Sequence, residues 1–107
     1  MADEVIYKRP DEVYKYTYDF TPKLGDTDTA INSSSSGVTA TDDEGNSATS
    51  TVIGTVAKSG LNLSANLQAG TNGRDYLCIF SGVGNTSSLV RHWVVEMRVR
   101  SNLGGVV

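Results

Sequence analysis

The sequence predicts an all-β protein, an antiparallel Ig-like β-sandwich of about six to eight short strands. Two observations support the β class. Polar and apolar residues alternate with a period of two in several runs, and turn-forming residues recur about every 8 to 12 positions between those runs. The helical period of 3.6 residues is absent. A small closed barrel is the main alternative architecture.

The first strand is predicted over 13–20. Aromatic side chains occupy every second position of this run: Tyr14, Tyr16, Tyr18 and Phe20. The residues between them are polar, so all four rings lie on one face of an extended strand. The strand is expected to end at Thr21-Pro22, because proline cannot donate a hydrogen bond to a neighbouring strand.

The middle of the chain is predicted as three strands separated by turns: 29–35, 37–41 and 47–57. The first of these is weakly apolar and centred on Ile31. A hairpin turn is expected at 42–46, where acidic residues precede Gly45-Asn46. The third strand would place Thr49, Thr51, Ile53, Thr55 and Ala57 on one face, with Gly54 marking a bulge.

The second half carries the clearest strand patterns. Residues 61–68 alternate leucine or alanine with polar residues, and a turn follows over 69–73. The run 75–81 is almost wholly apolar, which is typical of a central strand covered on both faces. A loop over 82–88 then leads to the longest strand, predicted over 89–100.

Three segments follow from this pattern. Residues 1–12 read as an extended N-terminal arm that becomes ordered against a partner. Residues 13–100 form the sandwich domain, and 101–107 form a short Gly-rich C-terminal tail. A domain of this size can bury one core without disulfides or metals.

Charge and composition exclude several partners. The net charge of −3 argues against a nucleic-acid binder, which needs a basic surface. No apolar run approaches the roughly 20 residues that span a bilayer, so no membrane partner is expected. The opening Met-Ala-Asp-Glu lacks the features of a signal peptide, which predicts synthesis in a cytoplasm.

No residue pattern predicts a catalytic residue, a metal site or a cofactor. Cys78 is the single cysteine and lies in an apolar run, so a buried thiol that acts as a small hydrophobe is expected. The carboxylates at Asp26/Asp28 and 42–44 lack the spacing of a calcium loop and fit turn chemistry. The lone His92 beside Trp93 fits an ordinary strand residue.

A local resemblance to immunoglobulin-like domains follows from Tyr76-Leu77-Cys78. The run resembles the start of strand F in those domains, where a tyrosine hydroxyl ties down the preceding loop. The chain departs from the antibody pattern, because it has no second cysteine and Trp93 comes too late to be the strand C tryptophan. The resemblance implies a sandwich without the disulfide, in which Tyr76, Cys78 and Trp93 have structural roles.

A second resemblance covers most of the chain. Three stretches are similar to small proteins of tailed bacteriophages: Lys8–Val13 with Tyr16–Phe20, Leu24–Asp28 with Ile31 and Ser33–Ser36, and Gly70–Tyr76 with the closing strand. This resemblance implies a non-enzymatic virion structural protein, a head decoration or cement protein. A tail, neck or fibre module is the alternative, and a carbohydrate-binding sandwich that uses Trp93 is a third hypothesis.

The expected partners are the major capsid protein and copies of the chain itself, with a trimer as one arrangement. The candidate contact residues lie in the arm and on the aromatic strand: Ile6, Tyr7, Arg9, Tyr14, Tyr16 and Tyr18. Tyrosines are enriched at interfaces because they are amphipathic. The alternative is that the tyrosine rings simply cover the core.

Overall fold

A computed structural model describes residues 2–25 and 27–101. These residues form seven strands and two helices of four residues each: β1 (Glu4–Lys8), β2 (Tyr14–Asp19), α1 (Thr21–Leu24), β3 (Gly37–Asp42), α2 (Thr49–Val52), β4 (Ile53–Ser59), β5 (Asn62–Leu67), β6 (Asp75–Val83) and β7 (Val90–Val99). The predicted all-β class is confirmed.

The strands form two sheets. The four-stranded sheet has the order β1-β7-β6-β3, and the three-stranded sheet has the order β2-β5-β4. Neighbouring strands are antiparallel except for β1 and β7, which run parallel. The chain crosses from one sheet to the other through loops or through the short helices α1 and α2.

The core lies between the inner faces of the two sheets. Strands β5, β6 and β7 each contribute three fully or almost fully buried residues: Leu63, Ala65 and Leu67; Tyr76, Cys78 and Phe80; Val95, Met97 and Val99. Phe20, at the end of β2, and Val52, at the end of α2, are also completely buried. The period of two along each strand produces this single apolar layer.

Part of the expected N-terminal arm is a strand of the sheet. Residues Glu4–Lys8 pair with β7 in parallel, from Glu4 opposite Val95 to Lys8 opposite Val99. Ile6 is buried in the core, and the backbone N–H of Asp3 continues the ladder by donating to the Val94 carbonyl (2.7 Å). The expectation of an extended arm is wrong for this segment, because burial of Ile6 and the backbone hydrogen bonds hold it on the sheet edge.

The strand predicted over 29–35 does not form. Ile31 is buried but makes only an isolated bridge to Gly84. The Asn32 Oδ1 accepts hydrogen bonds from the backbone N–H groups of Ser34 (2.9 Å) and Ser35 (3.2 Å). Such local side-chain bonds offer the backbone an alternative to a strand ladder, and they turn the chain here.

The strand predicted over 47–57 begins later, at Ile53, after the helix α2. The Thr49 hydroxyl accepts from the Ala40 N–H (2.9 Å), which anchors the turn where a strand was expected. The single face predicted for Thr49 to Ala57 is therefore wrong. The predicted bulge is confirmed, since the pairing of β4 with β5 shifts register between Ile53 and Val56, around Gly54.

The turns at 42–46 and 69–73 form as predicted. Asp42 Oδ1 accepts from the N–H groups of Glu44 and Asn46 (both 2.9 Å), and Gly45 has a positive φ of 84°. Gly73 also has a positive φ, 88°, a conformation that suits a residue without a Cβ. Of the predicted tail 101–107, only Ser101 lies within the described residues.

Candidate functional site

The aromatic side chains of β2 point mainly into the sandwich. Phe20 is completely buried, Tyr16 is 8% exposed and Tyr18 is half-buried, whereas Tyr14 is 45% exposed. The Tyr16 hydroxyl accepts from the Trp93 indole Nε1–H (2.8 Å) and donates to the Glu4 carboxylate. Burial, with the Glu4 bond, raises the pKa of Tyr16 well above its usual value. The ring of Tyr16 therefore joins the sheets internally and is not available to a partner.

Trp93 takes part in the same aromatic cluster. Its ring stacks on Tyr18 with centroids 4.4 Å apart and an angle of 13° between the planes. The Lys23 amino group lies 5.9 Å from the Trp93 centroid, and the indole N–H is bonded to Tyr16. These contacts give Trp93 a structural role and leave its ring poorly suited to stack on a sugar.

The candidate contact residues of the N-terminal segment divide between the interior and the surface. Ile6 is buried, whereas Tyr7 and Arg9 are exposed. The Tyr7 hydroxyl accepts from the Arg98 guanidinium (2.9 Å), which also lies over the Tyr7 ring, 5.6 Å from its centroid. Tyr7, Arg9 and Tyr14 are thus the members of the predicted contact set that solvent reaches freely.

Tyr76 and Cys78 lie on the inner face of β6. The Tyr76 hydroxyl accepts a hydrogen bond from the backbone N–H of Thr71 (3.0 Å), in the loop that precedes the strand. The Cys78 side chain is completely buried, as expected from the sequence. Burial raises the pKa of its thiol to about 12, so the reactive thiolate is scarce at neutral pH.

Asp28 has a structural role that sequence reasoning missed. Asp28 is only 2% exposed. Its carboxylate accepts hydrogen bonds from the Thr86 N–H (2.9 Å), the Ser87 N–H (2.8 Å) and the Ser87 hydroxyl (2.7 Å). The bonds from Ser87, followed by that from Thr86, lower the pKa of Asp28. Asp28 thereby joins the segment after α1 to the loop between β6 and β7. No local sequence pattern predicts that Asp28 bonds to residues about sixty positions away.

Lys8 is a second buried polar side chain that sequence reasoning missed. It is 1% exposed, and its ammonium donates to the carbonyls of Arg9 (2.6 Å) and Ala69 (2.7 Å). Burial lowers the pKa of this amine, while Glu12 and Asp11 oppose the shift. Lys8 ties β1 to the loop after β5, so it is a structural residue.

The outer face of the four-stranded sheet carries aliphatic side chains that no other part of the described residues covers. Six aliphatic side chains alternate with the core residues of β1, β6 and β7 and define what we call the apolar face: Val5, Leu77, Ile79, Val83, Val90 and Val94. Ile79 lies opposite Val94, and Val83 lies opposite Val90. None of the six belongs to the buried core, and Val5, Leu77 and Val90 are 42%, 36% and 51% exposed.

The β6 prediction is therefore half correct. Tyr76, Cys78 and Phe80 are buried in the core, but Leu77 and Ile79 on the other face are not covered by any part of the chain that the structure describes. The side chains on both faces of a central strand are buried only when another layer of structure covers each face of the sheet. Here the part of the chain that the structure describes supplies a layer on the inner face of β6 only.

Charged residues occupy one end of the same outer face. Glu96 lies beside Leu77 and accepts from Arg98 (2.8 Å), and Asp75 accepts from Arg100 (2.8 Å). An open depression next to Leu77 is lined by acidic side chains of the β3 and β6 ends, among them Asp42, Asp43 and Asp75. The Arg74 guanidinium contacts Asp43 (2.8 Å) and reduces the negative charge there.

No protein-family model, curated protein or solved structure matches the chain. Within the described residues, no helix has the length and apolar character needed to cross a bilayer. The same residues contain no group of three or more histidine, cysteine or acidic side chains arranged to hold a metal ion. The geometry of the apolar face is accordingly the main functional observation.

Proposed function

We propose that the chain is a non-enzymatic structural protein of a tailed-bacteriophage virion, a decoration or cement protein that stabilises the head. It would be made in the cytoplasm of the host bacterium and would bind to the assembled shell of major capsid protein. The apolar face carries this proposal as the binding surface. The phage assignment rests on the sequence resemblance of the opening, the Gly70–Tyr76 run and the closing strand.

We also propose that the sandwich is Ig-like. If β1 to β7 are equated with strands A to G, the orders β3-β6-β7 and β2-β5-β4 correspond to C-F-G and B-E-D. The bond from Thr71 to the Tyr76 hydroxyl supports the same assignment. The difference from the constant-type order is that the first strand pairs with the last one, G, instead of B.

The buried side chains that could carry chemistry are engaged in the fold, which supports a binding role over a catalytic one. The Cys78 thiol is buried, the Asp28 carboxylate is bonded to three donors, and the Lys8 ammonium is bonded to two carbonyls. Among the described residues, no buried side-chain polar atom lacks a hydrogen-bond partner. Each of these groups stabilises the fold, while the apolar face has no such internal task.

Attachment to a shell suits a surface of modest size. One copy that buries a few aliphatic side chains gains only a few kcal/mol, since a fully buried side chain of this type contributes about 1.5–3 kcal/mol. A shell presents many identical sites, and linked contacts among bound copies raise the overall affinity without any new contact. Exposed apolar patches on a small protein commonly mark such binding surfaces.

The test begins with phage particles produced from the genome that encodes this chain. We expect the chain to co-purify with virions through a density gradient, and a gold-labelled antiserum against it to mark the heads. Label on the tail or fibres would favour the alternative placement, and absence of the chain from purified particles would contradict a virion role.

Residue-level tests then use particles that lack the chain. Recombinant wild-type protein should bind these particles, Ile79→Lys on the apolar face should bind much less, and Thr17→Lys on the opposite sheet should bind as wild type. Equal binding by all three would show that the apolar face is not the contact. A glycan-array signal that is lost in Trp93→Ala would instead favour carbohydrate binding, for which no contact in the structure argues.

A further inference from the structure

We infer that the apolar face packs against the same face of a second copy of this chain. The inference rests on the proposed function for the role of the face as a binding surface: free copies would pair through it, and the shell would compete with a second copy for the same face. Two sandwiches would associate through their four-stranded sheets, with Ile79 and Val94 near the centre of the contact. The dimer would thus supply the second layer that β6 does not receive from residues 2–25 and 27–101.

The composition of β6 supports a covered outer face. Three of its five outward residues, Leu77, Ile79 and Val83, are aliphatic, and its inward side chains are apolar as well, which is close to the pattern of a strand covered on both sides. The adjacent strand β7 adds Val94 directly opposite Ile79 and Val90 directly opposite Val83. Cross-strand aliphatic pairs of this kind pack well against another pleated sheet about 10 Å away.

The mixed charges at one end of the face favour a second copy as the partner. The face carries both signs close together, with Glu96 bonded to Arg98 at 2.8 Å on the same strand. A partner surface with one dominant sign would leave one of these residues beside a like charge. An identical face presents both signs again, so a two-fold arrangement can place carboxylates near guanidinium groups across the contact.

The area of the outer face of the four-stranded sheet is compatible with a weak dimer. Four strands at about 4.8 Å spacing and about eight residues at about 3.4 Å rise give a face of roughly 500 Å² per copy. Two such faces bury about 1,000 Å², near the lower limit of a specific protein–protein interface. We therefore expect a weak dimer in solution, with a dissociation constant between about 10 µM and 1 mM.

Sedimentation equilibrium of the isolated chain, from about 10 µM to about 1 mM, tests the inference. The wild type should pass from monomer to dimer over this range. Ile79→Lys should raise the dissociation constant about tenfold or more, because its ammonium would be buried without a partner. Thr17→Lys, which places the same charge on the outer face of the other sheet, is the control and should dimerise as the wild type does.

Variant-independent evidence comes from a dilution series of the wild type followed by amide NMR. Concentration-dependent shifts should concentrate in β6 and β7 and spare β5. A wild type that stays monomeric throughout, a dimer whose shifts map elsewhere, or an Ile79→Lys variant that folds and still dimerises normally would each overturn the inference. A monomeric chain that nevertheless binds virions through this face would overturn only the self-association, leaving the proposed function intact.

Discussion

Strands β2 and β6 both carry large apolar side chains, but they place them differently. The alternate rings of β2 are mostly internal: Tyr16 and Phe20 are buried, and Tyr18 stacks on Trp93. β6 is apolar on both sides, and its outer residues Leu77 and Ile79 remain outside the core. The strand with the conspicuous aromatic rings is therefore a core strand, while the plainer aliphatic strand provides the open surface.

The outer faces of the two sheets show the same contrast. On the other side of the sandwich, the three-stranded sheet presents polar side chains in cross-strand pairs, Lys15 with Asn66 and Asp19 with Asn62. Such alternation is what a solvent-facing antiparallel sheet normally shows. The difference teaches that the function of a sheet face is better judged from the residues that no neighbour covers than from the largest side chains.

The largest expected difference is chemical reactivity on the two faces of β6. Cys78 on the inner face should react with a thiol reagent at pH 8 more than about a thousandfold more slowly than an unfolded thiol, because reaction requires opening of the core. In the Cys78→Ala/Ile79→Cys variant, the thiol on the apolar face should react at nearly the unfolded rate at low protein concentration. Equal rates at the two positions would show that the faces do not differ in exposure.

The next effect is on stability. Phe80→Ala should lower the free energy of unfolding by about 3–5 kcal/mol, because it leaves a cavity between the sheets. Leu77→Ala, three residues earlier and on the outer face, should cost about 1 kcal/mol or less in the dilute monomer. Urea unfolding followed by circular dichroism measures both, and comparable losses would mean that Leu77 belongs to the core after all.

A smaller effect should distinguish two tyrosines of β2. Tyr16→Phe removes the hydroxyl that bonds to Trp93 and Glu4, and it should cost about 1–2 kcal/mol because the half-buried indole N–H and the Glu4 carboxylate each lose a partner. Tyr14→Phe is the matched control and should change stability by no more than about 0.5 kcal/mol, because that ring is largely exposed. A larger loss for Tyr14 would reverse the division of β2 described above.

The smallest expected effect concerns Asp28, which holds the loop leading into β7 and its outward valines. Its folded pKa lies below the ordinary value of about 3.9, so its stabilising contribution is complete above about pH 4 and is lost as pH falls through the folded pKa. The wild type should therefore be more stable than Asp28→Asn at pH 6, and the difference should shrink as the solution is acidified.

Urea unfolding between pH 6 and pH 2 measures this dependence. Asp19→Asn is a useful comparison, because Asp19 accepts bonds from the Thr21 N–H and hydroxyl but is exposed, so solvent can replace them. Its effect should be weaker than that of Asp28→Asn. A gap between wild type and Asp28→Asn that stays constant down to pH 2 would contradict the role assigned to the Asp28 carboxylate.

Local patterns predicted those features whose cause is local. The alternation of 14–20 and 61–68, the turns at 42–46 and 69–73 and the bulge at Gly54 follow from side-chain period and turn chemistry, and the structure contains each of them. The strand predicted around Ile31 failed because the Asn32 side chain bonds to the following backbone. The predicted strand start near residue 47 failed because Thr49 anchors a helical turn on β3.

Features made by distant contacts were not predictable in this way. The bonds from Asp28 to Thr86 and Ser87, and those from Lys8 to Ala69, join segments with no shared local pattern. The placement of β1 on the edge of β7 has the same origin. For the candidate site, the sequence marked 75–81 as unusually apolar, whereas the predicted contact residues lie in the N-terminal segment and on the tyrosines of β2.

By itself the sequence determined that this chain is a β protein, which residues alternate across β2, β5 and β7, and that Cys78 is enclosed. Side-chain period and turn chemistry are sufficient for these conclusions, because they act over a few residues. Only the tertiary structure decided which face of each strand meets the other sheet. That choice depends on which strands become neighbours, and it places Leu77, Ile79 and Val94 on the face that no other described residue covers.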